Sequence, residues 1–292
     1  MSHKNKKSLT RQVQEALQSK LSAGESRHMG KSQGITEQKI YSFNTFRTYQ
    51  KHAIYFTNYC KETHGCKTLA DCRQYVDEYL LHRSSYCSPY TVKLDACSIG
   101  KTFGESTRNF APTPSRIRSE ITRSRGDKAM DKHFSEIKHA DLVAFCKASG
   151  LRRAEVTACK GTALVTCSES PVGLGINVTC GSKGGRARVA PLYCNKQTAA
   201  QIAAMCQAAG GGKIFEKVPG SADIHAYRQQ YAERVYTANA RPLHTLLQPE
   251  KYYCRFDKKG VVYDRHSLKI VSECLGHNRI GISASSYLHS VR

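Results

Sequence analysis

Five short stretches of this 292-residue chain carry side chains suited to handling a single phosphate group. GLRRAEV (150–156) sets Arg152 just after a glycine at the start of a helix, with Glu155 one turn on and on the same face. Lys183 stands at the tip of the glycine-rich turn GSKGG (181–185). HAYR (225–228) holds His225 and Arg228 three residues apart, so both leave one helix face side by side. LGH (275–277) delivers His277 just past a helix end, and Tyr287 follows within SASSYLHS (283–290). Arginines grip non-bridging phosphate oxygens bidentately and stabilise charge that develops in a transition state. Histidines and a lysine can manage protons, and a tyrosine hydroxyl supplies a nucleophile. Each stretch also has a plainer reading. An Arg–Glu pair on a helix is usually a surface salt bridge, a lysine in a glycine turn is usually solvated, and LGH can be a helix cap. Residues close to a chain end usually fray. What counts is that all five occur together, in this order.

Forty-five Lys and Arg against 23 Asp and Glu leave a formal net charge of +22. That excess favours a polyanionic partner, of which nucleic acid is the commonest. No run approaches 18 apolar residues and the basic N-terminal stretch lacks an apolar signal core, so no membrane association is expected and the location is read as cytoplasmic. The 13 cysteines are scattered, with Cys60, Cys66 and Cys72 among the nearest neighbours. Without a CxxC pair they do not read as a zinc site, and free thiols in a reducing compartment are expected. No GxxxxGK[ST] loop or Mg²⁺-type carboxylate cluster is present, so no metal and no cofactor are expected.

The elements that must position these residues are legible as periodicities. Leu9, Val13, Leu17 and Leu21 form a helical stripe over 8–23, and a polar stretch over 24–39 reads as a linker. Three helices follow, carrying Phe46 to Cys60, Leu69 to Leu80, and Val92 to Phe103, the last opened by Ser88-Pro89 and closed by Gly104. The predicted organisation is an N-terminal helix and linker (1–35), a helical bundle (36–104), a basic linker (105–131) and a second domain (132–292). The linker carries Arg116, Arg118, Arg123 and Arg125; it is either a solvated connection or a strap closing around a duplex. In the second domain a helix is predicted from Ser135 to Lys147, a hairpin over 175–192, and helices over 199–209, from 221 or 223, and over 267–275. A second hairpin is predicted over 251–264 and a short helix over SASSYLHS. The fold class is therefore mainly α with small β-hairpins, an α+β protein.

In GLRxxE, a hairpin-turn lysine, HxxR, LGH and a late tyrosine, the chain resembles the tyrosine recombinases, or phage-type integrases. The likeness is specific over 132–292, where GSKGGRARVAPL is close to the family's hairpin, and looser over the 36–104 bundle, which is similar to the core-binding domain. The resemblance implies a site-specific DNA recombinase that cuts and rejoins duplex DNA through a 3′-phosphotyrosine, for integration or excision of a mobile element. It implies that Arg152 and Arg228 clamp the phosphate, His225 helps accept the proton of Tyr287, Lys183 protonates the leaving 5′-oxygen, His277 hydrogen-bonds the phosphate, and Glu155 steadies Arg152. It also implies independence of metal and ATP, double-stranded DNA as partner, a homotetramer on paired sites, and accessory DNA-bending or directionality factors.

Several features depart from the family's pattern. The 49 residues from Arg228 to His277 mark the 251–264 hairpin as an insertion, and its Tyr252, Tyr253 and Tyr263 stand as outside candidates for the nucleophile. Gln229 stands where a second histidine often follows HxxR, and Arg153 beside Arg152 leaves the register open. The 1–35 segment is too small for a separate arm-site domain. A chromosome-dimer-resolving Xer-like recombinase, a type IB topoisomerase and a catalytically inactive DNA-binding regulator share parts of this description.

Overall fold

The computed structural model describes residues 7–115, 117, 134–180, 187–255, 258–277 and 279–288. Lys183 and the linker arginines Arg116, Arg118, Arg123 and Arg125 lie outside them. The chain forms two compact units, 1–117 and 118–292, each with its own core. The whole is mainly helical with two small antiparallel sheets.

The first unit contains α1 (Leu9–Gln18), α2 (Arg27–Ser32), α3 (Phe43–His64), α4 (Leu69–Cys72), α5 (Val76–Ser84) and α6 (Pro89–Phe103). Hydroxyl caps start most of them: Ser8, Ser26, Ser42, Thr68 and Ser88 each accept a backbone N–H of the first turn. The α1 stripe is buried in the bundle, with Val13 and Leu17 against Ile40 and Ala53, and Leu9 beside Phe56, Val76 and Ile99. The N-terminal helix thus shares the bundle's core. The single helix predicted over 69–80 is two helices, separated by a tight turn at Arg73–Tyr75. At that turn Arg73 makes two hydrogen bonds of 2.7 Å to Glu105, and Tyr75 stacks on His64.

The second unit runs α7 (Ala140–Ser149), α8 (Arg153–Ala158), β1 (Leu164–Thr166), β2 (Leu174–Val178), β3 (Arg188–Pro191), α9 (Lys196–Ala209), α10 (Ile224–Asn239), β4 (Lys251–Tyr253), β5 (Val262–Asp264), α11 (Arg265–Cys274) and α12 (Ile280–Ser286). The predicted 175–192 hairpin is β2 and β3, with Ile176 opposite Ala190; β1 adds an unpredicted third strand, pairing Leu164 with Ile176. The second hairpin, β4–β5, sets Tyr252 opposite Tyr263. Central α10 packs between α7 and α11, its Tyr227, Tyr231 and Val235 buried on the predicted stripe. Two boundaries differ from expectation. α7 begins at Ala140 because Ser135 instead closes a preceding turn, accepting the Lys138 N–H at 3.3 Å. α12 begins earlier than SASSYLHS and ends at Ser286, which leaves Tyr287 at its C-terminal cap.

Candidate active site

The site begins where α7 stops. Gly150 caps it with φ +59°, and a side chain there would run into the Tyr231 ring, so the GLRR turn requires glycine on two counts. Its carbonyl accepts a hydrogen bond from the Arg228 guanidinium. Two residues on, Arg152 is the N-cap of α8 and Glu155 turns back towards it. The Glu155 carboxylate accepts the Arg152 backbone N–H at 2.7 Å and its guanidinium at 2.8 Å.

Glu155 holds a second cation. Arg188, the first residue of β3, donates two hydrogen bonds to it, each 2.9 Å, and a third from Nε to the Cys274 carbonyl at 3.1 Å. Burial pushes the Glu155 pKa upward, but the hydrogen bonds from Arg188 and the Arg152 backbone outweigh it and hold the carboxyl at about 2. Glu155 is therefore a buried anion between two guanidiniums. Arg188 was not among the residues singled out by sequence. On a strand face a lone arginine looks like any solvated residue, and its partners are 33 and 86 positions away.

Arg228 projects from α10 and is only 1% exposed. Its Nε–H points at the Tyr287 hydroxyl at 3.3 Å, and one terminal nitrogen donates to the Leu275 carbonyl at 2.6 Å. Arg152 reaches the same Leu275 oxygen at 3.3 Å. The two guanidiniums thus converge on the C-terminal carbonyl of α11, the negative end of the helix dipole. Burial lowers the Arg228 pKa from its ordinary value, with the charge of Arg152 acting in the same direction.

The LGH turn follows. Gly276 takes φ +65°, its N–H bonds the Glu273 carbonyl at 2.8 Å, and the His277 N–H bonds Ser272 at 2.7 Å. A Cβ on Gly276 would come within 2.9 Å of the Arg188 side chain, so this glycine admits the arginine to the site. His277 Nε2 lies 3.4 Å from Arg228. A guanidinium can only donate, so Nε2 is the acceptor and the ring proton sits on Nδ1. Burial, then the charges of Arg228, Arg152 and Arg188, depress the His277 pKa to about 4, keeping the ring neutral at physiological pH.

Tyr287, 5% exposed, completes the group. Its ring lies 5.2 Å from that of His225 and 5.4 Å from that of His277, and the Arg228 guanidinium is 5.5 Å from the ring centre. The fold therefore gathers Arg152, Glu155, His225, Arg228, His277 and Tyr287, drawn from four separate segments, together with Arg188. Arg153 faces elsewhere, donating to the carbonyls of Pro219, Gly220 and Ala222, whereas Arg152 is the one that shares the Leu275 carbonyl with Arg228. Gln229 bonds Glu233 at 3.1 Å. Of the outside tyrosines, Tyr263 is buried with its hydroxyl on the Leu288 carbonyl at 2.9 Å, and Tyr253 bonds Gln248 at 2.6 Å.

No family model and no curated protein matches the chain. Among solved structures it is similar to the Tn1549 transposon integrase in complex with transposon right end DNA, at 13% identity and TM-score 0.48, covering 95% of each chain. It is also similar to the XerH site-specific recombinase bound to difH substrate in a post-cleavage complex, at 15% identity and TM-score 0.46, covering 96% of this chain and 90% of that one. A third likeness is to the XerA recombinase, at 11% identity and TM-score 0.34. The functional reading is carried by the geometry of the site.

Proposed function

We propose that this chain is a site-specific DNA recombinase of the tyrosine class, an integrase that cuts and rejoins duplex DNA for integration or excision of a mobile element. The observation that carries this reading is the tyrosine hydroxyl held 3.3 Å from a buried arginine, with the His225 and His277 rings 5.2 and 5.4 Å from the tyrosine ring. Charge developing on that oxygen faces a guanidinium, and a proton acceptor stands beside it.

In the proposed step the Tyr287 oxygen attacks phosphorus and the bond from phosphorus to the 5′-oxygen breaks. The phenol proton passes to His225. Arg152 and Arg228 stabilise the non-bridging oxygens, His277 adds a hydrogen bond from Nδ1–H, and Lys183 supplies the proton that the 5′-oxygen takes up. The product is a 3′-phosphotyrosine and a free 5′-hydroxyl. Rejoining reverses the step with a different 5′-hydroxyl, so the phosphodiester energy is kept and the scheme calls for neither metal nor ATP. Exchange between two duplexes cuts four strands, which calls for a tetramer with one nucleophile per strand. A net charge of +22 favours such a partner, and the arginines of the 105–131 linker are further candidates for the DNA backbone.

The test uses a pool of nicked duplexes of random sequence, in which the cleaved fragment diffuses away and the covalent complex accumulates. After denaturation, wild-type chain should carry covalently attached DNA. Tyr287→Phe should carry none while binding duplex with unchanged affinity. A covalent band that persists in Tyr287→Phe would place the nucleophile elsewhere.

A further inference from the structure

The β4–β5 hairpin, which the long Arg228–His277 interval marks as extra, closes on the segment that carries Tyr287. At one end the Tyr252 hydroxyl abuts α12 at Gly281, where a Cβ would stand 2.9 Å from it. At the other end Lys258 Nζ donates to the carbonyls of Ala284 at 2.7 Å and Leu288 at 2.6 Å. The Tyr263 hydroxyl, 3.5 Å from the same ammonium, donates to the Leu288 carbonyl as well. Tyr252, Tyr263 and Val261 pack in one apolar cluster with Ala284, Tyr287 and Leu288. The two carbonyls gripped by Lys258 bracket Tyr287 in the chain.

α12 needs such help. It has seven residues, three of them serine, and its N-cap Arg279 makes no side-chain capping bond. A helix this short is marginal in water, and the carbonyls of its last turn lack donors within the helix. An ammonium at that end satisfies one of them, at Ala284, together with the Leu288 carbonyl just past the helix, and meets the negative end of the helix dipole.

We propose that Lys258 is a positioning residue for Tyr287. It clamps the backbone on both sides of the tyrosine so that the hydroxyl stays at Arg228, and Tyr263 completes the clamp. Lys258 reaches the Tyr287 segment through the main-chain oxygens of Ala284 and Leu288. The inference rests on the reading of Tyr287 as nucleophile, and it assigns the extra hairpin the task of holding that nucleophile in place.

Two measurements on the full chain test it. In the DNA-free protein, Lys258→Met should raise amide hydrogen exchange across 280–288 by at least about tenfold while leaving α10 unchanged, as expected for local opening. With the nicked duplexes, the single-turnover rate of covalent capture should fall by on the order of 10²-fold, the effect of displacing a reactive group by about 1 Å. Noncovalent affinity should stay within about twofold, since a positioning role touches the chemical step and not the binding. Lys258→Arg should recover part of the rate, and Tyr253→Ala, on the same hairpin but directed to Gln248, should match wild type. Unchanged exchange at 280–288 would overturn the inference whatever the DNA shows. So would an unchanged capture rate, or a parallel loss of DNA affinity and thermal stability, which would make Lys258 a residue of general structure. Faster exchange in a chain whose wild type captures no DNA would support the clamp and overturn the recombinase reading instead.

Discussion

Glu155 is a buried carboxylate whose charge is matched by Arg152 and Arg188, and removing one member of such a group leaves the others unpaid for in a dry environment. Glu155→Gln is expected to cost about 3–5 kcal/mol in urea unfolding. A loss below about 1 kcal/mol would mean that water already screens the triad. His277 gives the same site a pH dependence of known sign. Its ordinary pKa of 6.5 falls to about 4 in the folded chain, so on acidification the unfolded chain takes up its proton first. Stability should fall between about pH 6.5 and 4 and then level off for this group, whereas the loss due to Glu155, held at about 2, belongs below its ordinary 4.5. Urea midpoints at pH 7 and pH 5 check this: His277→Gln should lose less on acidification than wild type, and an equal loss would point to other groups. At this scale the sequence reveals residues that belong to short motifs, such as Arg152 with Glu155 or His225 with Arg228. Arg188 and Lys258 were hidden because each bonds carbonyls or a carboxylate brought near only by folding, and no local pattern marks a side chain whose partner is a distant main-chain oxygen.

Caps and turns decide where the site residues emerge. Serine and threonine caps, the Pro89 start and the glycine stops at Gly65, Gly104, Gly150 and Gly210 made most helix positions readable, because each satisfies a backbone group locally. Misplaced ends have physical reasons as well. Ser135 spends its oxygen on a turn before α7, and β1 has only three residues, too few for a period to register. α12 is held by the hairpin more than by its own propensity, so its sequence alone could not give its limits. Gly150→Ala tests one such element. The position has φ +59° and lies against Tyr231, so the substitution adds backbone strain of about 1 kcal/mol to a steric clash. Thermal unfolding should show a drop of at least 4 °C, and covalent capture should slow, because the Gly150 carbonyl that orients Arg228 must move with the turn. Wild-type stability and rate together would show that the turn relaxes freely.

The molecule as a whole is two separately cored units carrying 45 basic residues, and all 13 cysteines are free thiols. No described helix is long and apolar enough to cross a membrane. Charge, rather than any one contact, should dominate the encounter with DNA, because each neutralised phosphate releases condensed counterions. A plot of log affinity against log salt concentration should have a slope corresponding to at least about six phosphates. A flat titration from low to physiological salt would be incompatible with a duplex as the main partner. Composition made this property legible from the start, since net charge needs no fold to be counted.

The oxygen shared by Arg152 and Arg228 belongs to the main chain at Leu275. No codon change can delete it. The separation of the two cations is thus insulated from ordinary mutation at that position and open only to changes that shift the path of the backbone, or to chemical synthesis that replaces the amide linkage with an ester, a weaker acceptor. The Gly150 carbonyl that holds Arg228 and the Cys274 carbonyl that holds Arg188 share this protection, so much of the site's geometry is out of reach of genetic drift.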